Sequence, residues 1–310
     1  MITALAGGVG GAKLVYGLAQ LLPPDEFAAI VNTGDDFNYY GLRISPDIDS
    51  VTYTLAGISN QKFGFGLEGD TFQVMQELEA LGENAWFHLG DKDLAINLYR
   101  TRLLNAGYSL GEATKKILAS LKVSTALYPM TNDPVATLIH TKDGQCYDFQ
   151  EYFVKHKFQP EIERIEYQGI EKAGIDKGAR AALETSEYII LCPSNPWLSI
   201  FPIINLPGMH EILAKKKVIA VSPIIGNAAV KGPASKIFAE FGLSPSAIGV
   251  ATLYGSLLGA LCIDHQNSPE QKEIEKLGIK TIVTDIMMKD EANKVRLASE
   301  VLNLIRSQGL

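Results

Sequence analysis

Four aspartates within fifteen residues, Asp35, Asp36, Asp47 and Asp49, are the side chains whose type and spacing point most directly to chemistry. Hard divalent cations take oxygen ligands and bridge to phosphates, so Asp47 and Asp49 are candidates to share a Mg2+ and to orient an alcohol. The competing reading makes Asp47 or Asp49 a helix N-cap and Asp35–Asp36 a solvated turn. A cationic candidate follows in "LGDKDLA", 89–95, where Lys92 stands between Asp91 and Asp93. It offers an ammonium to a phosphate, or it belongs to a capped helix start.

Ahead of the aspartates lies "LAGGVGGAKL", 5–14. A dinucleotide fingerprint needs G-x-G-x-x-G; Gly8 and Gly10 fit, but Lys13 occupies the third glycine position and Asn32 replaces the acid expected after the second strand. A Walker A loop needs G-x4-G-K-[ST]; Gly7 fits, but Ala12 and Leu14 replace Gly and Ser/Thr. What survives is the shared physics, in which backbone amides of Gly8, Gly10 and Gly11 approach a phosphate at the positive end of a helix. A tight structural turn is the alternative.

Two later segments carry neutral donors after apolar runs. "CPSNPWLSIFPIINLPGM", 192–209, brings Ser194 and Asn195, and "VSPIIGNAAVKGPASK", 221–236, brings Ser222, Gly226, Asn227 and Lys231. "PMTNDPVAT", 129–137, reads as a structural turn around Asn132 and Asp133. The histidines, at 88, 140, 156, 210 and 265, show no H-x-x-x-H or H-x-H spacing, which argues against a zinc site. No G-x-S-x-G elbow occurs, which argues against a serine hydrolase.

The elements that must position these groups follow from periodicity. "ITALA" (2–6) and "FAAIV" (27–31) read as buried strands around the helix "AKLVYGLAQLL", which Pro23 and Pro24 stop, giving a βαβ opening. Residues 46–57 read as a loop feeding a helix, 69–81 as a helix with an Asp-Thr start, and 109–121 as a helix opening on a Ser-x-x-Glu capping box. Around 139–153 the period becomes two, with "KDG" as a hairpin turn. "YIILC" (188–192), "KVIAV" (217–221), "ALCID" (260–264) and "TIVTD" (281–285) read as buried parallel strands, before a C-terminal amphipathic helix. The expected fold is α/β: a Rossmann-like, doubly wound, mostly parallel sheet in a single domain over 1–310, with a helical and β-hairpin insertion at roughly 60–165.

The chain has 310 residues, 46% of them hydrophobic, enough for a sizeable core, and its formal charge of -7 disfavours a nucleic-acid partner. Cys146, Cys192 and Cys262 have no paired spacing, so all three are expected as core thiols of a cytoplasmic protein. There is neither a basic leader nor an apolar run long enough for a membrane span.

Together these segments resemble the 2-phospho-L-lactate transferases of coenzyme F420 biosynthesis (CofD; FbiA in mycobacteria). The likeness rests on "GGVGGAKL", "NTGDDFNYYGLRISPDIDSVTYTL", "LGDKD", "PMTNDPVATLI", "CPSNPWLSIFPIINLPGM" and "VSPIIGNAAVKGPASK", in that order along nearly the whole chain. The first two are shared with the nucleotide-sugar-binding YvcK-like relatives, so the later ones decide. The resemblance implies Mg2+-dependent transfer of a 2-phospholactate or phosphoenolpyruvate unit from a guanosine diphosphate-linked donor to the terminal hydroxyl of the deazaflavin FO, with release of GMP. It implies that Asp49 and Lys92, with Asp36, meet the deazaflavin. It also implies that loops 7–13, 194–195 and 226–233, with Lys13 and Lys231, face the guanosine phosphates. Asp49, alone or with Asp47, is then the expected metal ligand, and Asp49→Asn is expected to collapse turnover while leaving folding intact. A homodimer is expected from the resemblance only. The alternatives are a non-catalytic nucleotide-sugar sensor of the YvcK-like type and, from the glycine loop alone, a nicotinamide-dependent oxidoreductase.

Overall fold

Successive residues of the short apolar runs face alternate sides of one sheet, and this organises the molecule. In the computed structural model, which describes residues 1–308 except Gln61, Phe63, Phe65 and Lys231, the strands are β1 (Ile2–Ala6), β2 (Phe27–Val31), β3 (Phe37–Tyr39), β4 (Leu42–Ile44), β5 (Ala126–Pro129), β6 (Ala136–Thr141), β7 (Cys146–Asp148), β8 (Ile162–Gln168), β9 (Tyr188–Leu191), β10 (Lys217–Val221), β11 (Ile224–Ile225), β12 (Ala228–Ala229), β13 (Ala260–Asp264) and β14 (Lys280–Thr284). Seven form one parallel sheet in the order β14-β13-β10-β9-β1-β2-β5. On β1, Leu5 joins one core layer while Ala4 and Ala6 join the other; on β9, Ile189 and Leu191 oppose Ile190. Both faces are covered, which is why these strands read as unbroken apolar runs.

The helices used below are α1 (Gly8–Leu21), α2 (Pro46–Leu55), α3 (Gln73–Ala80), α4 (Asp91–Asn105) and α5 (Leu110–Ser120). Helix α1 packs against the C-terminal helix Glu291–Gln308 and against α2. The Ser109–Glu112 capping box of α5 is present. The chain turns back at β1: β2 and β5 lie on one side, and β9, β10, β13 and β14 on the other. Such a reversal leaves a crevice outside the carboxyl ends of the two central strands, where open α/β sheets bind ligands.

This is the expected Rossmann-like α/β fold. Three details differ from the sequence reading. Strand β5 pairs with β2 at the sheet edge, so segment 60–165 contributes a core strand between the helical block α3–α5 and the antiparallel sheet β7-β6-β8. Helix α3 begins at Gln73, and Asp70 does not start it. Instead Asp91 accepts from the amides of Gln73 and Val74, while Asp70 accepts from those of Lys92 and Asp93, so each aspartate caps the other's helix. Finally, only Cys192 and Cys262 are buried; Cys146 lies exposed on the short strand β7.

Among the described residues no helix is long and apolar enough to cross a membrane.

Candidate functional site

The loops after β1, β2, β9 and β10 all emerge at the carboxyl edge of the sheet, and the sequence placed its candidates on them. The glycine loop is held by the loop after β9. Ser194 Oγ accepts the Gly7 amide at 3.2 Å and donates to the Gly7 carbonyl at 2.7 Å. A Cβ on Gly11 would lie 2.6 Å from Ser194 Oγ, and one on Gly10 would collide with the Pro193 carbonyl. These glycines are therefore required by close protein packing. Gly8 has φ +62°, the left-handed region, and its amide donates to Asp47 Oδ1 at 2.6 Å. The next two amides of α1, Val9 and Gly10, have no intrahelical acceptor by geometry and lie at the positive end of the helix dipole.

Asn32 ties the aspartates to this turn. Its Nδ2 donates to Asp35 Oδ1 (3.1 Å), to Asp47 Oδ2 (3.0 Å) and to the Leu198 carbonyl, while its Oδ1 accepts the Gly34 amide. Asp35 also accepts from Gln150 Nε2 at 3.0 Å, so the antiparallel-sheet segment reaches the crevice. Asp36 accepts from Ser45 Oγ and pairs with Arg43 at 3.3 Å through one oxygen; its other oxygen, Oδ1, is buried with no hydrogen-bond partner. Asp35, Asp36, Asp47 and Asp49 are each at most 6% exposed. Burial drives the Asp36 carboxyl up to about 7, against the opposing pull of Arg43, and the Asp47 carboxyl up to about 6, against the hydrogen bonds from Asn32 and Gly8. Burial also raises Asp35, and the charges of Asp47 and Asp36 add to that.

Asp47 and Asp49, both on α2, are not brought together. Residues two apart on a helix point in different directions. Asp47 turns to the N-terminus of α1, whereas both carboxylate oxygens of Asp49 are taken by the guanidinium of Arg100 on α4. Lys92 lies in the first turn of α4, and its ammonium donates to the carbonyls of Glu68 and Gly69. Lys13 donates to the Met288 carbonyl at 2.8 Å, on the side of the C-terminal segment. Asn195 uses its Oδ1 to cap the amides of Trp197 and Leu198, leaving its buried Nδ2 without a partner. Gly226 and Asn227 form the turn between β11 and β12, and Lys231 lies outside the described residues.

Sequence reasoning passed over Arg100, Asn97, Gln150 and Asn267. The last of these clamps Gly226: its Oδ1 accepts the Gly226 amide at 2.8 Å and its Nδ2 donates to the Gly226 carbonyl at 2.9 Å. The spacing of Asp93, Asn97 and Arg100, i, i+4 and i+7 on one helix face, was the available signal for two of them.

Among the described residues no three His, Cys, Asp or Glu side chains converge as a preformed metal cage. Mg2+ rarely uses one; it is held by one or two carboxylates together with substrate phosphates. The orphaned Asp36 Oδ1 among buried carboxylates fits such an ion.

The family described as "2-phospho-L-lactate transferase CofD" matches residues 2–301. A "2-phospho-L-lactate transferase" of Methanococcoides burtonii is 37% identical over 299 residues, covering 96% of this chain and 97% of the relative. A "Phosphoenolpyruvate transferase" of Streptomyces griseus is 38% identical over 310 residues, covering 98% of each. A crystal structure of a UPF0052 family member from Bacillus halodurans superposes with a TM-score of 0.63 at 14% identity, over 97% of this chain and 98% of that one, a likeness of fold.

Proposed function

The chain belongs to the 2-phospho-L-lactate transferase CofD family, and on that premise we propose that it moves a phospholactyl-type unit from a guanosine diphosphate-linked donor to the terminal hydroxyl of the deazaflavin FO. The observation that carries this reading is the meeting of the α1 N-terminus with a buried carboxylate cluster at the reversal point of the sheet. One side suits phosphate oxygens, and the other suits a hydroxyl and a cation.

In this reading the acceptor hydroxyl oxygen attacks the donor phosphorus that carries the three-carbon acid. The new P–O bond forms as the bond to the guanylyl oxygen breaks; GMP departs with that oxygen, and the hydroxyl proton passes to solvent. Such transfer rests on positioning and charge neutralisation more than on a covalent nucleophile. The first-turn amides of Val9 and Gly10 hold phosphate oxygens, and the loops at 194–195 and 226–227 face the guanosine. Asp49 and Lys92 face the deazaflavin, with Asp36 beside them. Asp36 Oδ1 and the Asp47 carboxylate are the oxygen donors that would hold Mg2+, while Asp49, with both oxygens on Arg100, stays outside that set. When bound, the ion supplies charge neutralisation for the diphosphate. Lys13 reaches the donor only by leaving the Met288 carbonyl.

A panel of guanylylated donors, carrying 2-phospholactate or phosphoenolpyruvate, tested with FO and Mg2+ and resolved by anion-exchange chromatography, checks the reading. An anionic deazaflavin product with at least one donor is expected. Tight guanine-nucleotide binding with no product from any donor would favour the sensor alternative.

A further inference from the structure

Five side chains form one chain of hydrogen bonds between α2 and α4. Arg100, fully buried, grips both oxygens of Asp49 and donates to Asn97 Oδ1 at 2.5 Å. Asn97 Nδ2 donates to Asp93 Oδ1 at 3.0 Å, and the Tyr53 hydroxyl donates to the same oxygen at 2.6 Å. Asn97 and Tyr53 are 0% and 1% exposed. Asp93 follows Lys92 directly in the first turn of α4.

A buried ion pair is weak evidence for stability, because desolvation offsets the attraction. This one even leaves Arg100 Nε buried without a partner. What the arrangement does provide is geometry. A planar guanidinium held at both terminal nitrogens fixes the plane of the Asp49 carboxylate, which a lysine cannot do.

We propose that Arg100 is the positioning residue of the acceptor site. It fixes Asp49 and, through Asn97 and Asp93, locks the first turn of α4, so that Lys92 and Asp49 present one geometry to a hydroxyl-bearing planar acceptor. This rests on the reading that those two residues face the acceptor. The donor's phosphates are handled at the N-terminus of α1, whose Gly7 and Gly8 amides are held by Ser194 and Asp47 and by none of these five side chains, so loss of the network registers chiefly on the acceptor.

The test compares steady-state kinetics of the full chain with Arg100→Lys and with Tyr53→Phe, varying FO and the guanylylated donor separately and recording each melting temperature. Arg100→Lys is expected to raise the KM for FO by about tenfold or more and to leave the donor KM within about twofold. Tyr53→Phe, which removes one link and keeps the ring, is expected to move the FO KM in the same direction by less. If Arg100→Lys shows no cooperative melting transition, Tyr53→Phe decides. An unchanged FO KM in a folded variant, or equal rises for both substrates, overturns the proposal. A wild-type chain with no turnover overturns the transferase reading itself and this proposal with it.

Discussion

Asp47 Oδ1 accepts the amide hydrogen of Gly8 at 2.6 Å, so a carboxylate from α2 already occupies the first amide at the positive end of α1. The phosphate-type cradle is therefore partly filled from within, and it connects through Asn32 to Asp35. Asp47→Asn keeps an acceptor oxygen for Gly8 and removes the charge. Turnover is expected to fall by about 100-fold or more, as for loss of a preorganised electrostatic group. The melting temperature at pH 8 should change little, because relief of a carboxyl that burial raises to about 6 is offset by loss of the bond from Asn32 Nδ2, which the new amide nitrogen cannot accept. Kinetics and thermal denaturation of one preparation check both halves.

Asp49→Asn behaves differently. The sequence alone suggested a variant that folds normally, but Asp49 is the partner of a fully buried guanidinium. Removing its charge strands Arg100, and breaking a buried pair from one side costs about 3–5 kcal/mol. Urea denaturation is expected to show that loss, and the double variant Asp49→Leu/Arg100→Met should recover part of it while remaining inactive.

The buried carboxylates also give a pH dependence. Asp36 and Asp47, with an ordinary value of 3.8, are held near 7 and 6 in the folded chain. Well below pH 3.8 both are protonated whether folded or not, and the slope of stability with pH that they cause is nil by linkage. As pH rises to about 7 the unfolded chain gives up these protons first, so stability falls across that window. A divalent cation binds only the ionised carboxylates. Added Mg2+ is expected to raise the melting temperature clearly at pH 8 and little at pH 5, read by differential scanning calorimetry.

The glycine loop separates packing from conformation. Gly10→Ala drives a methyl into the Pro193 carbonyl, whereas at Gly8 the nearest atom to a new Cβ, Asp47 Oδ1, is 3.8 Å away and only the φ of +62° is strained. Overpacking costs about 1–3 kcal/mol and a left-handed non-glycine residue about 1–2 kcal/mol. Gly10→Ala should be the less stable of the two in chemical denaturation, because only there must backbone move.

The sheet was legible because strands buried on both faces read as apolar runs, and the loops at their carboxyl ends held the polar candidates. Other parts were hidden for physical reasons. The hairpin β3–β4 turns at Tyr40 and Gly41, with φ of 48° and 75°, and a tyrosine there gives no turn signal. Arg100 sits in "LYRTRLL", where an arginine reads as a solvated face, and nothing local announces the aspartate 51 positions away. The glycines were visible, but the reason for Gly10 and Gly11, contact with residues 193–194, is tertiary. Cys146 was expected in the core, and its place on an exposed three-residue strand could not be read from composition.

On the proposed reading this chain joins a phosphoester unit to a deazaflavin hydroxyl. Liquid chromatography with mass detection, following FO, a guanylylated three-carbon donor and Mg2+ with the purified chain, tests it most directly. The expected product is a deazaflavin heavier by the transferred phosphoester unit, appearing mole for mole with GMP and only when all components are present. GMP released with FO unchanged, or no consumption of any donor by a folded, nucleotide-binding chain, would contradict it.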